Sequence, residues 1–147
     1  MVHAAPVADF AIGKAITMAR GSDVCLLSTG NMLPETVEAA HELESRGISA
    51  EVISFHTVKP LDEECLADVF ARFPLVASIE EHSRIGGFGA AVAEWLIDNR
   101  ITPRQFIRFG TPDAFFKQSG EQEFAREALG LSAHQIAARI TDALRQG

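Results

Sequence analysis

Short apolar runs alternate with segments of helical periodicity along most of this chain, and this alternation limits the folds open to it. Residues 23–30 and 50–55 are dominated by apolar side chains, as is typical of strands buried on both faces of a sheet. Residues 33–46 lie between them and place four apolar side chains on one helical stripe: Leu33, Val37, Ala40 and Leu43. A strand, a helix and a strand with short links form a right-handed βαβ unit. The pattern therefore predicts an α/β fold with a mainly parallel sheet.

The rest of the chain repeats the same alternation. We predict an edge strand over residues 12–18, strands over 75–80 and 104–109, helices over 63–73 and 87–99, and a terminal helix beyond residue 132. Two helices carry start signals, because Asp62 is an N-cap residue and Ser132 with Gln135 forms a capping box. Gly47 is expected to end the first helix in a left-handed conformation.

Length, charge and cysteine usage exclude several classes of protein. A chain of 147 residues is long enough to bury a core, and we expect residues 1–147 to form a single domain. A net charge of −7 with scattered basic residues argues against nucleic-acid binding. We expect no membrane contact, because no apolar run approaches the roughly 20 residues of a membrane span. We expect no signal peptide, because residues 1–6 show no basic region followed by an apolar core. Cys25 and Cys65 lack metal-binding spacing and fit a reducing cytoplasm.

The segment of residues 76–89 contains the chain's best candidate for a functional site. An apolar strand is followed there by two carboxylates, a histidine, an arginine and a glycine cluster, and then by a helical pattern. Open α/β sheets bind ligands or partners at such a carboxyl end of a strand. We therefore predict an anion site or interface that consists of Glu81, His82, Arg84, Gly86, Gly87 and Gly89.

Each polar residue of this segment has a functional and a structural interpretation. Glu80 and Glu81 offer a general acid and base, but neighbours on an extended segment point to opposite faces. We therefore expect one to bond backbone or Arg84 and the other to face an interdomain surface. His82 has a side chain suited to proton transfer near neutral pH. We favour an interface histidine that is bonded to the main chain, because no nucleophile or second base is near it in sequence.

The glycine cluster also has two interpretations. Gly86, Gly87 and Gly89 could present backbone N–H groups to a phosphate at a helix N-terminus. Their spacing matches neither the dinucleotide-binding fingerprint nor a Walker loop. We favour close packing of the helix on the sheet, which glycine permits because it has no side chain.

Ten short motifs, taken in order, resemble the C-terminal domain of the transketolase superfamily. That superfamily includes transketolase, 1-deoxyxylulose-5-phosphate synthase and the β-subunits of the 2-oxo-acid dehydrogenases. The motifs are Gly13-Lys14-Ala15, Gly21-Ser22-Asp23-Val24, Ser28-Thr29-Gly30, Glu38-Ala39-Ala40, Gly47-Ile48, Lys59-Pro60-Leu61-Asp62, Glu80-Glu81-His82, Gly86-Gly87-Phe88-Gly89, Gly110-Thr111-Pro112-Asp113-Ala114-Phe115 and Gly130-Leu131-Ser132. Each motif is unspecific alone, and their order and spacing make the resemblance specific.

The resemblance implies a three-layer α/β/α domain whose five-stranded mixed sheet has an antiparallel first strand. It implies a non-catalytic structural or regulatory domain, or a split subunit, of a thiamine-diphosphate-dependent transketolase-type enzyme. Such an enzyme transfers a ketol unit between sugar phosphates, and its diphosphate- and pyrimidine-binding domains hold thiamine diphosphate and a divalent metal. We therefore expect this chain to bind no cofactor or metal, to hold no catalytic residue, to be inactive alone and to form a homodimer.

Two alternatives stay open. The first is a stand-alone regulatory module that binds an anion or a nucleotide in the crevice at the end of strand 75–80. The second is a self-contained enzyme on a Rossmann-like sheet, which would need a nucleophile or a metal set that the sequence does not reveal.

Overall fold

The computed structural model describes residues 10–114 and 120–146. Five strands are formed: β1 (Ile16–Ala19), β2 (Val24–Ser28), β3 (Ala50–Ser54), β4 (Leu75–Ser83) and β5 (Gln105–Thr111). The α-helices are α1 (Leu33–Ser45), α2 (Glu63–Arg72), α3 (Phe88–Asp98), α4 (Gln122–Ala128) and α5 (Ala133–Gln146). A 3₁₀ turn over Gly30–Met32 precedes α1. Within the described ranges, no helix combines the length and apolar character needed to cross a bilayer.

The strands form one sheet in the order β1-β3-β2-β4-β5. β1 pairs with β3 in the antiparallel direction, whereas β3, β2, β4 and β5 run parallel to one another. The predicted mixed sheet with an antiparallel edge strand is thus confirmed. β3 lies on one side of β2, and β4 lies on its other side. The strand order therefore reverses direction between β2 and β4, which makes this position the topological switch point of the sheet. In open α/β sheets this switch point is where ligands and partners bind.

Two hydrophobic clusters cover the two faces of the sheet and confirm the three-layer arrangement. Val24 and Leu26 of β2 point into the cluster formed with α1 and α5. Cys25 and Leu27, which alternate with them, point into the cluster formed with α2 and α3. Every residue of β2 is buried, as expected for a central strand between two helical layers.

Two strand boundaries and one helix differ most from the sequence prediction. β1 begins at Ile16 rather than at residue 12. β4 continues through Ser83, three residues beyond the predicted end, because its polar residues still pair with β5 after an irregularity between Ile79 and Ser83. α4 was not predicted: none of its residues is buried, so it carries no apolar stripe.

The two predicted helix caps have different outcomes. Asp62 caps α2 as predicted, because its carboxylate accepts the N–H of Cys65 at 3.2 Å. The capping box at Ser132 is only half formed: Gln135 Oε1 accepts the N–H of Ser132 at 3.4 Å, but the Ser132 hydroxyl donates to that same oxygen. The N–H of Ala133, the first residue of α5, instead donates to Glu35 of α1 at 3.0 Å. The N-terminus of α5 is therefore capped by the carboxylate of Glu35, which is distant in sequence, and not by the predicted Ser132 side chain.

We predict that Asp62→Ala lowers the free energy of unfolding by about 1–3 kcal/mol. The substitution removes the cap of α2, and it also removes the acceptor for the N–H of Ala15, which lies 2.9 Å from Asp62 Oδ2 just before β1. Urea denaturation followed by circular dichroism measures the change. The control is Glu63→Ala, at the exposed neighbouring position, with an expected loss below about 0.5 kcal/mol. Equal losses for the two variants would contradict this role of Asp62.

Candidate functional site at the carboxyl edge of the sheet

The predicted site lies at the switch point between β2 and β4. His82 is exposed there and lies between two open hollows, of about 390 and 380 Å³. The larger hollow is lined by Thr29, Val58, Glu80, His82, Ser83, Ile85, Gly86, Gly87 and Phe88. The other is lined by Thr29, Gly30, Asn31, Glu81 and His82. The structure therefore brings most of the predicted site residues to one edge.

Glu80 is buried beneath this edge and binds the N-terminus of α3. Its carboxylate accepts the backbone N–H of Phe88 at 2.6 Å and that of Gly89 at 2.8 Å. These two residues begin the helix, so their N–H groups have no acceptor within it. A negative charge at this position also interacts favourably with the helix dipole. The chain's own carboxylate therefore occupies the position at which a helix N-terminus would bind an external anion.

The glycines allow this contact because side chains at their positions would occupy the same space. A Cβ atom at Gly87 would overlap Glu80 Oε2 and the carbonyl oxygen of Ser83. A Cβ atom at Gly89 would lie 2.5 Å from Ser78 Oγ. The close packing favoured from the sequence accounts for both glycines. Anion binding by the backbone N–H groups of the glycine cluster stays a prediction. Of the three glycine N–H groups, that of Gly89 is already bonded to Glu80, as is that of Phe88 between them.

Glu81 points away from Glu80 and holds α4. Both of its oxygens accept the amide of Gln122 at 2.9 Å, and Oε1 accepts Arg126 Nε at 3.1 Å. Arg126 also lies 3.5 Å from Glu35 and donates to the carbonyl of Asn31 at 3.2 Å. Glu80 bonds backbone, the first of the two partners expected for it, and among the described contacts it does not pair with Arg84. Glu81 binds α4 of the same chain, and that it also faces an interdomain surface stays a prediction.

The two histidines near the edge differ in their surroundings. The ring of His82 makes no hydrogen bond to any residue in the described ranges, so the predicted bond to the main chain is not observed. His56, just after β3, has Nδ1 2.9 Å from Thr57 Oγ1 and stacks on Phe10 with ring centroids 4.1 Å apart. His56 Nε2 is buried without a partner among the described residues. The Thr57 hydroxyl is bonded to His56, but within the described ranges no third group orients that ring, and no hydroxyl or thiol is hydrogen-bonded to His82. Neither histidine therefore belongs to a complete set of nucleophile, base and orienting group.

The cysteines and carboxylates of the described residues do not fit a thiamine diphosphate site. Those residues contain no group of three histidine, cysteine or acidic side chains able to hold a metal ion. Burial raises the pKa of the Cys65 thiol to about 11 and raises that of Cys25 further still. Both thiols are therefore protonated at neutral pH, which disfavours metal ligation and nucleophilic attack.

Comparison with known proteins identifies the family. The family model described as Transketolase, C-terminal domain, matches residues 13–136. The chain belongs to the transketolase C-terminal domain family. It is 41% identical over 128 residues to the 6-deoxy-6-sulfo-D-fructose transketolase subunit SqwH of Clostridium sp. (strain MSTE9), covering 87% of this chain and 39% of that protein.

Two further relatives support the assignment. This transketolase C-terminal domain is 37% identical over 125 residues to 1-deoxy-D-xylulose-5-phosphate synthase of Desulforudis audaxviator (strain MP104C), covering 85% of the domain and 20% of that protein. A solved structure described as split gene transketolase, inactive beta4 tetramer, matches at a TM-score of 0.83 with 34% identity, covering 92% of this chain and 44% of that chain. The resemblance and the fold expected from it are confirmed. The domain spans less than half the length of each relative.

We predict that Glu80→Gln lowers the free energy of unfolding by about 2–4 kcal/mol, because a buried amide offers only one acceptor oxygen to the two N–H groups of α3. The same change at the next residue, Glu81→Gln, is the matched control. It weakens a partly exposed ion pair and is expected to cost less than about 1 kcal/mol. Denaturant titration measures both variants. A loss at Glu81 equal to or greater than that at Glu80 would show that the buried contact has no special weight.

We also predict that Cys65 reacts slowly with iodoacetamide in the folded state. Because folding raises the thiol pKa from 9.0 to about 11, less thiolate is present at any mildly alkaline pH. Mass spectrometry of the Cys25→Ala variant isolates the reaction at Cys65. We expect a rate at least about tenfold below that of the urea-unfolded chain, and one that rises with pH up to the folded-state pKa. Equal rates in the two states would contradict the shift.

Proposed function

We propose that this chain is the C-terminal, non-catalytic part of a thiamine-diphosphate-dependent transketolase-type transferase, either as a split subunit or as a domain of a longer chain. The complete enzyme transfers a ketol unit between sugar phosphates in the cytoplasm. Its diphosphate- and pyrimidine-binding domains hold thiamine diphosphate and a divalent metal, and residues 1–147 form one domain that supports association, including a homodimer. The observation that carries the proposal is the match of residues 13–136 to the transketolase C-terminal domain. The buried Glu80 carboxylate, which occupies the N-terminus of α3, supports a non-catalytic role for this edge.

Exposed apolar side chains at the carboxyl edge indicate where the partner domains bind. Val58 and Ile85 line the larger hollow beside His82, and Ile85 is 71% exposed. Phe10 is 59% exposed and covers the ring of His56. We call Phe10, His56, Val58, His82 and Ile85 the edge patch. Apolar patches of this kind mark contacts with other protein surfaces. The relatives are more than twice as long as the part that this chain matches. We propose that polypeptide equivalent to their additional length covers the edge patch.

The direct test of the proposal is isolation of the chain from its native source. We expect it to copurify with polypeptide that carries thiamine diphosphate, and we expect the complex to show ketol transfer. Isothermal titration of the chain alone with thiamine diphosphate and Mg²⁺ is expected to show no binding. Micromolar cofactor binding by the chain alone, or purification without any cofactor-bearing partner, would overturn the proposal.

We predict that Ile85→Glu in the edge patch weakens association with the cofactor-binding polypeptide by at least about tenfold, because a charge would be buried at the contact. Ile97→Glu is the matched control: Ile97 lies on α3 and is 75% exposed, but it is not in the edge patch. Analytical ultracentrifugation of the reconstituted complex measures the affinities. Equal weakening by both variants, or by neither, would place the contact elsewhere.

The stand-alone regulatory module remains the second candidate. The observation in its favour is the open hollow beside His82, which is also lined by Gly86 and Gly87. A nucleotide titration followed on the Gly86 and Gly87 amide resonances distinguishes it. Saturable shifts on those amides would favour the module, and their absence would favour the transketolase-type subunit.

A further inference from the structure

A third hollow, of about 220 Å³, opens where β5 ends beside the turn that leads into α5. Three arginines line it, namely Arg84, Arg108 and Arg139, and no acidic side chain does. The three residues come from different parts of the fold, since Arg84 follows β4, Arg108 lies on β5 and Arg139 lies on α5. The fold therefore gathers positive charge at one place in a chain whose net charge is −7.

None of these three guanidinium groups forms an ion pair with a carboxylate in the described ranges. Other arginines of the chain do form such pairs: Arg46 lies 2.9 Å from Glu42, Arg72 lies 2.7 Å from Asp68, and Arg126 lies 3.1 Å from Glu81. Three arginines that share a hollow without a counter-charge repel one another. An anion bound between them would relieve that repulsion.

Contacts with uncharged groups hold the three side chains at the hollow. Arg108 Nη1 donates to the carbonyl oxygen of Arg84 at 3.1 Å. The guanidinium carbon of Arg139 lies 5.0 Å from the centre of the Phe109 ring. The aliphatic part of Arg84 lies over Gly110, where a Cβ atom would be 2.9 Å from Arg84 Cγ. Because each guanidinium has five N–H donors, these contacts leave most of the donors available to a ligand.

We propose that this hollow binds a phosphate group, either as inorganic phosphate or as the phosphate of a small phosphorylated molecule. A guanidinium presents paired N–H donors that match phosphate oxygens, and phosphate accepts several such pairs at once. The volume selects a small ligand, because it is below the roughly 300–1,000 Å³ of pockets for drug-sized molecules.

This site differs from the one predicted at the glycine cluster. It uses arginine side chains around the end of β5, whereas the N–H groups at the start of α3 are bonded to Glu80. Arg84 is the one residue that the two share. Phosphate binding in this hollow is independent of the proposed function, because it needs neither the cofactor nor the partner domains of a transketolase-type enzyme.

The test is an NMR titration of the ¹⁵N-labelled chain with inorganic phosphate and, separately, with glycerol 3-phosphate, at constant ionic strength. We expect saturable shifts on the amides of Gly110, Gly130 and Leu131, which line the hollow. We expect Arg139→Gln and Arg84→Gln each to weaken binding at least about tenfold. The control is Arg104→Gln, at an exposed arginine just before the opposite end of β5, with unchanged affinity expected.

The two ligands distinguish the source of the phosphate group. Tighter binding of glycerol 3-phosphate indicates a phosphorylated molecule, and equal affinity indicates that the phosphate group alone is recognised. Circular dichroism confirms that each variant is folded before it is titrated. The proposal is overturned if neither ligand gives saturable shifts, if the folded Arg139→Gln and Arg84→Gln variants bind as the unaltered chain does, or if Arg104→Gln weakens binding as much.

Discussion

The buried contact between Glu80 and the N-terminus of α3 determines the geometry of the carboxyl edge. A carboxylate with no exposure is unfavourable in a protein interior unless its oxygens are bonded, and here two backbone N–H groups bond them. The contact requires glycine at residues 87 and 89, because side chains there would overlap Glu80 or Ser78. It therefore sets the path of the loop between β4 and α3. That loop carries Arg84 and Ile85, on which both proposals depend.

The same contact explains why the N-terminus of α3 is not free to bind an external anion. In open α/β sheets, a helix N-terminus at the switch point is a ready site for an anion. In this transketolase C-terminal domain, the anion is part of the chain. Glu81, the neighbouring residue, is used to hold α4 through Arg126. The edge also exposes a histidine and apolar side chains, which suit a contact with another protein surface.

The sequence was informative wherever structure depends on neighbours in the chain. The apolar runs predicted β2 and β3, and Asp62 predicted the start of α2, because burial on two faces and helix capping both leave local patterns. The extent of β4 was missed because its polar residues, from Glu80 to Ser83, resemble a loop although they continue the pairing with β5. α4 was missed because none of its residues is buried.

Interactions between distant residues could not be predicted in this way. Arg126 and Glu81 are 45 residues apart, and the cap of α5 comes from Glu35, which is 98 residues from Ala133. The three arginines of the third hollow lie after β4, on β5 and on α5, and they share no local spacing. The sequence did predict the position of the carboxyl edge of the sheet. In residues 76–89, an apolar strand is followed by a polar segment and then by glycines, and this order indicated where polar side chains would lie at the end of a strand.

Amide hydrogen exchange at Phe88 and Gly89 tests the central claim most directly. The first N–H groups of a helix normally exchange quickly, because no residue within the helix accepts them. If Glu80 holds them, they will exchange as slowly as the amides of β2 and roughly a thousandfold or more below the unfolded rate. Gln122 and Glu123 begin α4 without a side-chain cap and provide the internal reference for fast exchange. Exchange at Phe88 and Gly89 as fast as at that reference would contradict the account.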